Sequence, residues 1–172
     1  LSDMPSGFAH GSLEEFKVAP GQDGIFSDQV ENGFSFHHED LLVQFLVGRA
    51  EILDEDENLE LFDLLLDSFV ESFIVGVAQA SDGETPPESV PLTGLDDLGD
   101  AATGRSSLLD SDPPLRVDAI LFRRGQVVVL MWTFYFVDQG FNISLADSAR
   151  LLDQKILDEA APANQISAVK AD

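Results

Sequence analysis

The stretch from Val117 to Val137, VDAILFRRGQVVVLMWTFYFV, decides the fold. Two extended apolar runs flank Arg124-Gly125, and a glycine beside a charged residue between such runs is the signature of a β-hairpin. The spacing predicts a first strand over Val117–Arg123, a turn at Arg124-Gly125 and a second strand over Val127–Val137. In the second strand Val127, Val129, Met131 and Val137 point one way, and Val128, Leu130, Trp132 and Phe134 point the other. Both faces are apolar, so this strand needs cover on both sides and belongs at the centre of a sheet. Trp132 and Tyr135 read as core on that account.

Working outward, residues 41–53 alternate at a period of two, with Leu41, Val43, Phe45 and Val47 on one side, which predicts another buried strand. A helix is predicted over residues 58–79: Phe62, Leu65, Leu66, Phe69, Phe73 and Val77 recur at three- and four-residue spacings, with Asp63, Asp67 and Glu71 on a different face. The carboxylates of Asp54, Glu55, Asp56 and Glu57 stand before it, where they meet the positive end of the helix dipole. Residues 81–87 are a Gly- and Pro-containing loop, and a short strand is expected within Ala101–Ser107. A second amphipathic helix starts at Ser144, whose spacing to Asp147 makes a capping box, and carries Leu145, Ala149, Leu152, Ile156 and Ala160 on one stripe. Residues 1–30 are read as irregular with one short strand, and the tail beyond Pro162 as frayed. No repeat or long linker divides the chain. The expectation is a single domain of α/β type, more exactly α+β, in which helices cover a mostly antiparallel sheet.

Length and composition agree. One hundred and seventy-two residues suit one core, and 44% hydrophobic content with 13 Phe is far too apolar for a disordered acidic chain. The formal net charge is -23, from 32 acidic and 9 basic residues. That field repels phosphate backbones, so no nucleic-acid partner is expected. It fits solubility first, and then a cation or a basic protein surface. The apolar run ending at Val137 is well short of the roughly 20 residues a membrane helix needs, so no membrane span is expected. The absence of cysteine removes disulfides and thiolate chemistry.

Motifs that carry chemistry are few. Asp54, Asp56 and Asn58 match the first side-chain ligands of an EF-hand loop, but Leu59 replaces the turn glycine and Leu65 the bidentate glutamate. They stand as weak metal candidates only. His37 and His38 are adjacent in an extended segment, point to opposite faces and cannot chelate one ion together. No nucleophile elbow, phosphate loop or dinucleotide fingerprint occurs, and with this many acids no carboxylate pair selects itself. No cofactor is expected. Arg123 and Arg124 are the only adjacent basic pair, placed at the predicted hairpin tip. They are candidates for contact with a protein partner or an anion, against the plainer reading of a charged turn.

The hairpin Val117-Asp-Ala-Ile-Leu-Phe-Arg-Arg-Gly-Gln-Val-Val-Val and the helix opening Ser144-Leu-Ala-Asp-Ser-Ala-Arg-Leu-Leu, with Met4-Pro-Ser-Gly-Phe near the start, resemble small bacterial extracytoplasmic domains. The order of parts is similar to the PsbP-like α/β/α sandwich, a six-stranded antiparallel sheet between helices. The likeness covers the last third of the chain best. It implies an accessory or binding role outside the cytoplasm and supplies no catalytic residues. A leader peptide or lipid anchor upstream of Leu1 is compatible with it, and the cytoplasm of a halophile is the alternative source of such a charge. Three functional expectations follow: a non-enzymatic accessory or binding domain that meets a protein partner, a calcium-responsive acidic domain, and a carboxylate-based hydrolase.

Overall fold

The computed structural model describes residues 8–10, 32–38, 44–52, 57–80, 88–138 and 144–169, with side chains placed at 59–79, 88–138 and 144–158. Within these residues the elements run β1 (Phe8–His10), β2 (Asn32–His38), β3 (Gln44–Ile52), α1 (Glu57–Ala80), β4 (Ser89–Pro91), β5 (Ala101–Leu109), β6 (Leu115–Arg124), β7 (Val127–Phe136) and α2 (Leu145–Val169). The strands form one sheet in the order β1-β2-β3-β7-β6-β5-β4, with every neighbouring pair antiparallel. The architecture is the mixed α+β domain expected from the sequence.

The doubly apolar strand takes the central position. β7 lies between β3 and β6, so Trp132 is in register with Val47 on one side and Ala119 on the other. Its two faces feed two separate cores. On one face Val129 and Met131, with Ile120 and Phe122 of β6, pack beneath Leu145 and Ala149 of α2 and beneath Leu95 and Leu98 of the β4–β5 connection. On the other, Val128 and Trp132, with Ala119 and Leu121, pack beneath Phe62, Leu66, Val70 and Ile74 of α1. The Phe73 ring meets Trp132 with centroids 5.0 Å apart. Helices therefore cover opposite faces of β6 and β7, and the period of two in those strands dictates that sandwich.

The turn sits one residue later than the sequence suggested. Arg124 still pairs with Val127 in the ladder, and the loop is Gly125-Gln126. Gly125 takes a φ of 58°, a conformation in which any other L residue is strained. Ser144 caps α2 as predicted: its Oγ accepts the Asp147 N–H at 3.1 Å. The backbone of α2 runs on to Val169, past Pro162, where loss of periodicity had marked a tail.

The second difference lies in the roll of α1. The buried stripe is Phe62, Leu66, Val70, Ile74 and Ala78, whereas Leu65 and Phe69, expected on it, lie at its margin, 36% and 37% exposed, with the Phe69 ring stacked on Phe62. Asp63 and Asp67, expected on a different face, flank that stripe on its opposite side and reach arginines of the sheet, Asp67 while still 57% exposed. The helix is apolar over so wide an arc that periodicity alone could not choose among its apolar faces. Ion pairs make the choice.

Candidate functional site

Arg123 and Arg124 end β6 and, as neighbours in a strand, leave it on opposite faces. The Arg123 guanidinium grips Asp63 of α1 with two parallel bonds, Nε to Oδ1 at 2.8 Å and Nη2 to Oδ2 at 2.6 Å. Arg124 grips Asp153 of α2 in the same fork, at 2.8 and 2.6 Å. Asp100, just before β5, lies between the two. Its Oδ1 accepts from Arg124 Nη1 at 2.9 Å, and its Oδ2 accepts from the Gly125 N–H at 2.8 Å and from Arg123 Nη1 at 3.3 Å. The Asp100 N–H in turn donates to the Arg123 carbonyl at 2.6 Å. One arginine pair thus ties both helical layers and the hairpin turn to the sheet.

Arg123 and Arg124, the candidates for partner contact at the hairpin tip, are engaged in ion pairs within the chain. Arg123 retains 8% of its accessible surface, and the donors of both guanidiniums are committed inside the chain. Asp153 is buried as well. Its hydrogen bonds from Arg124 hold its carboxyl below the usual carboxylate range against the opposing effect of burial, and the Gly99 N–H at 3.2 Å adds to them. Gly99 has a φ of 65° and lies so close to the Arg123 carbonyl that a Cβ there would collide with it. Next along the sheet, Arg105 grips Asp67 of α1 at 3.0 and 2.6 Å, and this lowers the Asp67 carboxyl. Asp63 and Asp67 are thereby both anchored to the sheet, which sets the roll of α1.

That roll leaves an uncharged face outward. Leu61 is 49% and Leu64 81% exposed, with Leu65 and Phe69 beside them, and the face continues through Ser68, Ser72 and Gly76 without a charged residue. Leu64 is bordered by Glu60 and Glu71, both exposed; Glu71 lies within the field of Arg105 without a direct contact to it. In a chain this rich in charge, large leucines with their sides in water are the anomaly.

Two other places were candidates for chemistry. An open cleft of about 460 Å³ is lined by Pro91–Gly104, with Asp96 and Asp100 as its acids. Asp100 is taken by the arginine pair, so this cleft does not assemble the two available carboxylates that acid–base hydrolysis requires. On the α2 face of the sheet, Asp118 and Thr133 are cross-strand partners. Asp118 Oδ2 accepts from the Tyr135 hydroxyl at 2.9 Å, and Arg116 Nη1 donates to Ser106 Oγ at 2.8 Å. Burial, and then the neighbouring Asp118, raise the Tyr135 phenol well above its ordinary range, so it serves as a donor rather than a base. Asp118 Oδ1 and the fully buried Thr133 Oγ1 have no hydrogen-bond partner among the described residues.

Of the calcium candidates, Asp54 and Asp56 lie outside the described residues. Asn58 stands in the first turn of α1. Residues 57–65, where the later ligands of an EF-hand loop opened at Asp54 would fall, are helical. His37 and His38 fall on β2, in register with Ala9 and Phe8. Among the described residues, no three acids or histidines converge to hold a metal, and no helix is long and apolar enough to cross a membrane.

The fold and site together define a helix-covered antiparallel sheet, locked by arginine–carboxylate pairs, with one helix face left to solvent. No protein-family model, no curated protein and no solved structure matches the chain.

Proposed function

We propose that this chain is a non-enzymatic binding domain, a protein-interaction or assembly module that docks its partner on the outer face of α1. The observation that carries this reading is the exposure of Leu61, Leu64, Leu65 and Phe69 along one uncharged helical stripe, held outward by the pairing of Asp63 and Asp67 to the sheet. Ion pairs that spend four arginine bonds on fixing the roll of α1 support a role for the face so presented. The accessory role outside the cytoplasm implied by the PsbP-like resemblance belongs to the same proposal.

A photo-crosslinking residue at position 64, compared with one at the exposed Asp158 of α2, tests it in extracts of the cells that express the chain. The expected result is a discrete crosslinked species from position 64, competed away by unlabelled protein and absent from position 158. The same products from both positions, or none from either, would overturn the reading.

A further inference from the structure

Resting on the reading of α1 as a docking face, the charge around that face identifies its partner. We infer that the face receives a basic amphipathic helix, whose apolar stripe packs on Leu61, Leu64, Leu65 and Phe69 while its Lys or Arg side chains reach Glu60 and Glu71.

Helix recognition of this kind needs apolar anchors at three- and four-residue spacing, and Leu61, Leu64, Leu65 and Phe69 supply them. Toward the end of the helix the face narrows to small residues. Ser68, Ser72 and Gly76 recur at every fourth position, and the space where a Gly76 side chain would stand is open. A second helix can approach closely there. The border of the stripe is acidic on the Leu64 side. Glu60 precedes Leu64 by one turn and Glu71 follows it by two; both are exposed, Glu71 feels Arg105 only at a distance, and Asp63 and Asp67 are spent on the sheet.

Charge also separates the possible occupants. A second copy would bring a further formal charge of -23 and its own Glu60 and Glu71 against the same border, so self-association works against the field. An acidic or neutral helix gains nothing from Glu60 and Glu71. A basic helix is drawn in by the whole-molecule field and oriented by the two glutamates, with the leucines supplying affinity once water leaves.

The test uses three fluorescein-labelled synthetic peptides and the full chain. One carries leucines at helical i, i+3, i+4 and i+7 positions with lysines elsewhere. The second has the same composition with its leucines dispersed around the helix, and the third carries glutamate in place of lysine. By fluorescence anisotropy, the first binds about tenfold or more tighter than the second, a gap of about 1.4 kcal/mol, and the third does not bind. Leu64→Lys, a change at a side chain outside the core, abolishes that preference, and Leu61→Ser with Leu65→Ser weakens the first peptide by about tenfold. Glu60→Gln with Glu71→Gln weakens it and flattens its dependence on salt. Equal affinity for the two lysine peptides would overturn the inference, since attraction would then be to charge alone. So would unchanged binding by the leucine variants, or a sedimentation shift showing that wild type pairs with itself through this face and Leu64→Lys does not. A discrete crosslink from position 64 together with equal peptide affinities would leave the docking face standing and remove the basic helix. Loss of both would remove the two together.

Discussion

Arg123 and Arg124 are adjacent in the chain and bind opposite layers of the molecule: Arg123 holds Asp63 of α1 and Arg124 holds Asp153 of α2, each through two parallel bonds. The end of β6 therefore acts as a rivet through the sheet. The cores on the two faces supply burial but leave each helix free to roll, because an apolar contact has no direction. Bidentate guanidinium–carboxylate pairs do have one. They fix which residues of α1 meet water.

Removal of the buried member of the rivet is predicted to be severe. Arg123→Ala leaves Asp63 and Asp100 without their shared cation and is expected to lower stability by about 2 kcal/mol, less than for a fully buried pair because the two acids keep 33% and 41% of their side-chain surface. Arg123→Lys keeps the charge but loses the fork and is expected to recover less than half of that. Urea denaturation of both variants, with Asp63→Ala completing a double-mutant cycle, measures it. A coupling energy near zero would mean that the pair does not fix the helix.

Gly99 is predicted to tolerate no side chain. Its φ of 65° is strained for alanine, and the Cβ would strike the Arg123 carbonyl that receives the Asp100 N–H. Gly99→Ala is expected to cost about 2 kcal/mol or more in the same denaturation assay, whereas Gly94→Ala, with a φ of 75° but open space around it, pays only the backbone strain. Equal losses at the two positions would contradict the contact.

Thr133→Val is predicted to stabilise the chain. The Thr133 hydroxyl is fully buried at the centre of the sheet with no partner among the described residues, and a methyl of the same shape removes its desolvation penalty, worth about 1 kcal/mol. A raised thermal midpoint is the expected result, and a lowered one would show that the hydroxyl is satisfied by a bound water.

Acid is predicted to act in two opposed ways. Asp153 and Asp67 have folded pKa values depressed by Arg124 and Arg105, so the stability they contribute is present above the unfolded value of about 3.9 and is lost as pH falls through the folded value. The net charge of -23 works the other way, since partial protonation of the many other carboxylates relieves their repulsion. Thermal midpoints should rise modestly from pH 7 to about pH 5 and fall steeply below about pH 4. Asp153→Asn, which cannot titrate, should lose less over the acid limb. The exposed Asp67 pair contributes little to it, because solvent screens that pair.

How far these features are legible in the sequence varies by element. The β6–β7 hairpin and both helices are written in local periodicity, because each is long enough for its apolar residues to repeat. β4 is not: three residues ending in Pro91 carry no period, and only pairing with Arg105, Ser106 and Ser107 of β5 makes them a strand. The arginine rivet joins residues up to 60 positions apart, a distance over which sequence spacing is silent. One local sign of it existed. Asp153 interrupts the apolar stripe one turn after Ala149, and a carboxylate on a buried face calls for a cation opposite. Two arginines at the end of a strand apolar on both faces are the natural source. The roll of α1 follows from these pairs, and the exposed face that the functional proposal uses was hidden with it.

The claim that the outer face of α1 is the binding surface is tested most directly by amide hydrogen exchange of the full chain with and without the leucine–lysine amphipathic peptide. Added protection is expected in α1 between Leu61 and Gly76, and none at the cleft over Pro91–Gly104. Protection spread evenly over the acidic surface, or centred on that cleft, would contradict it.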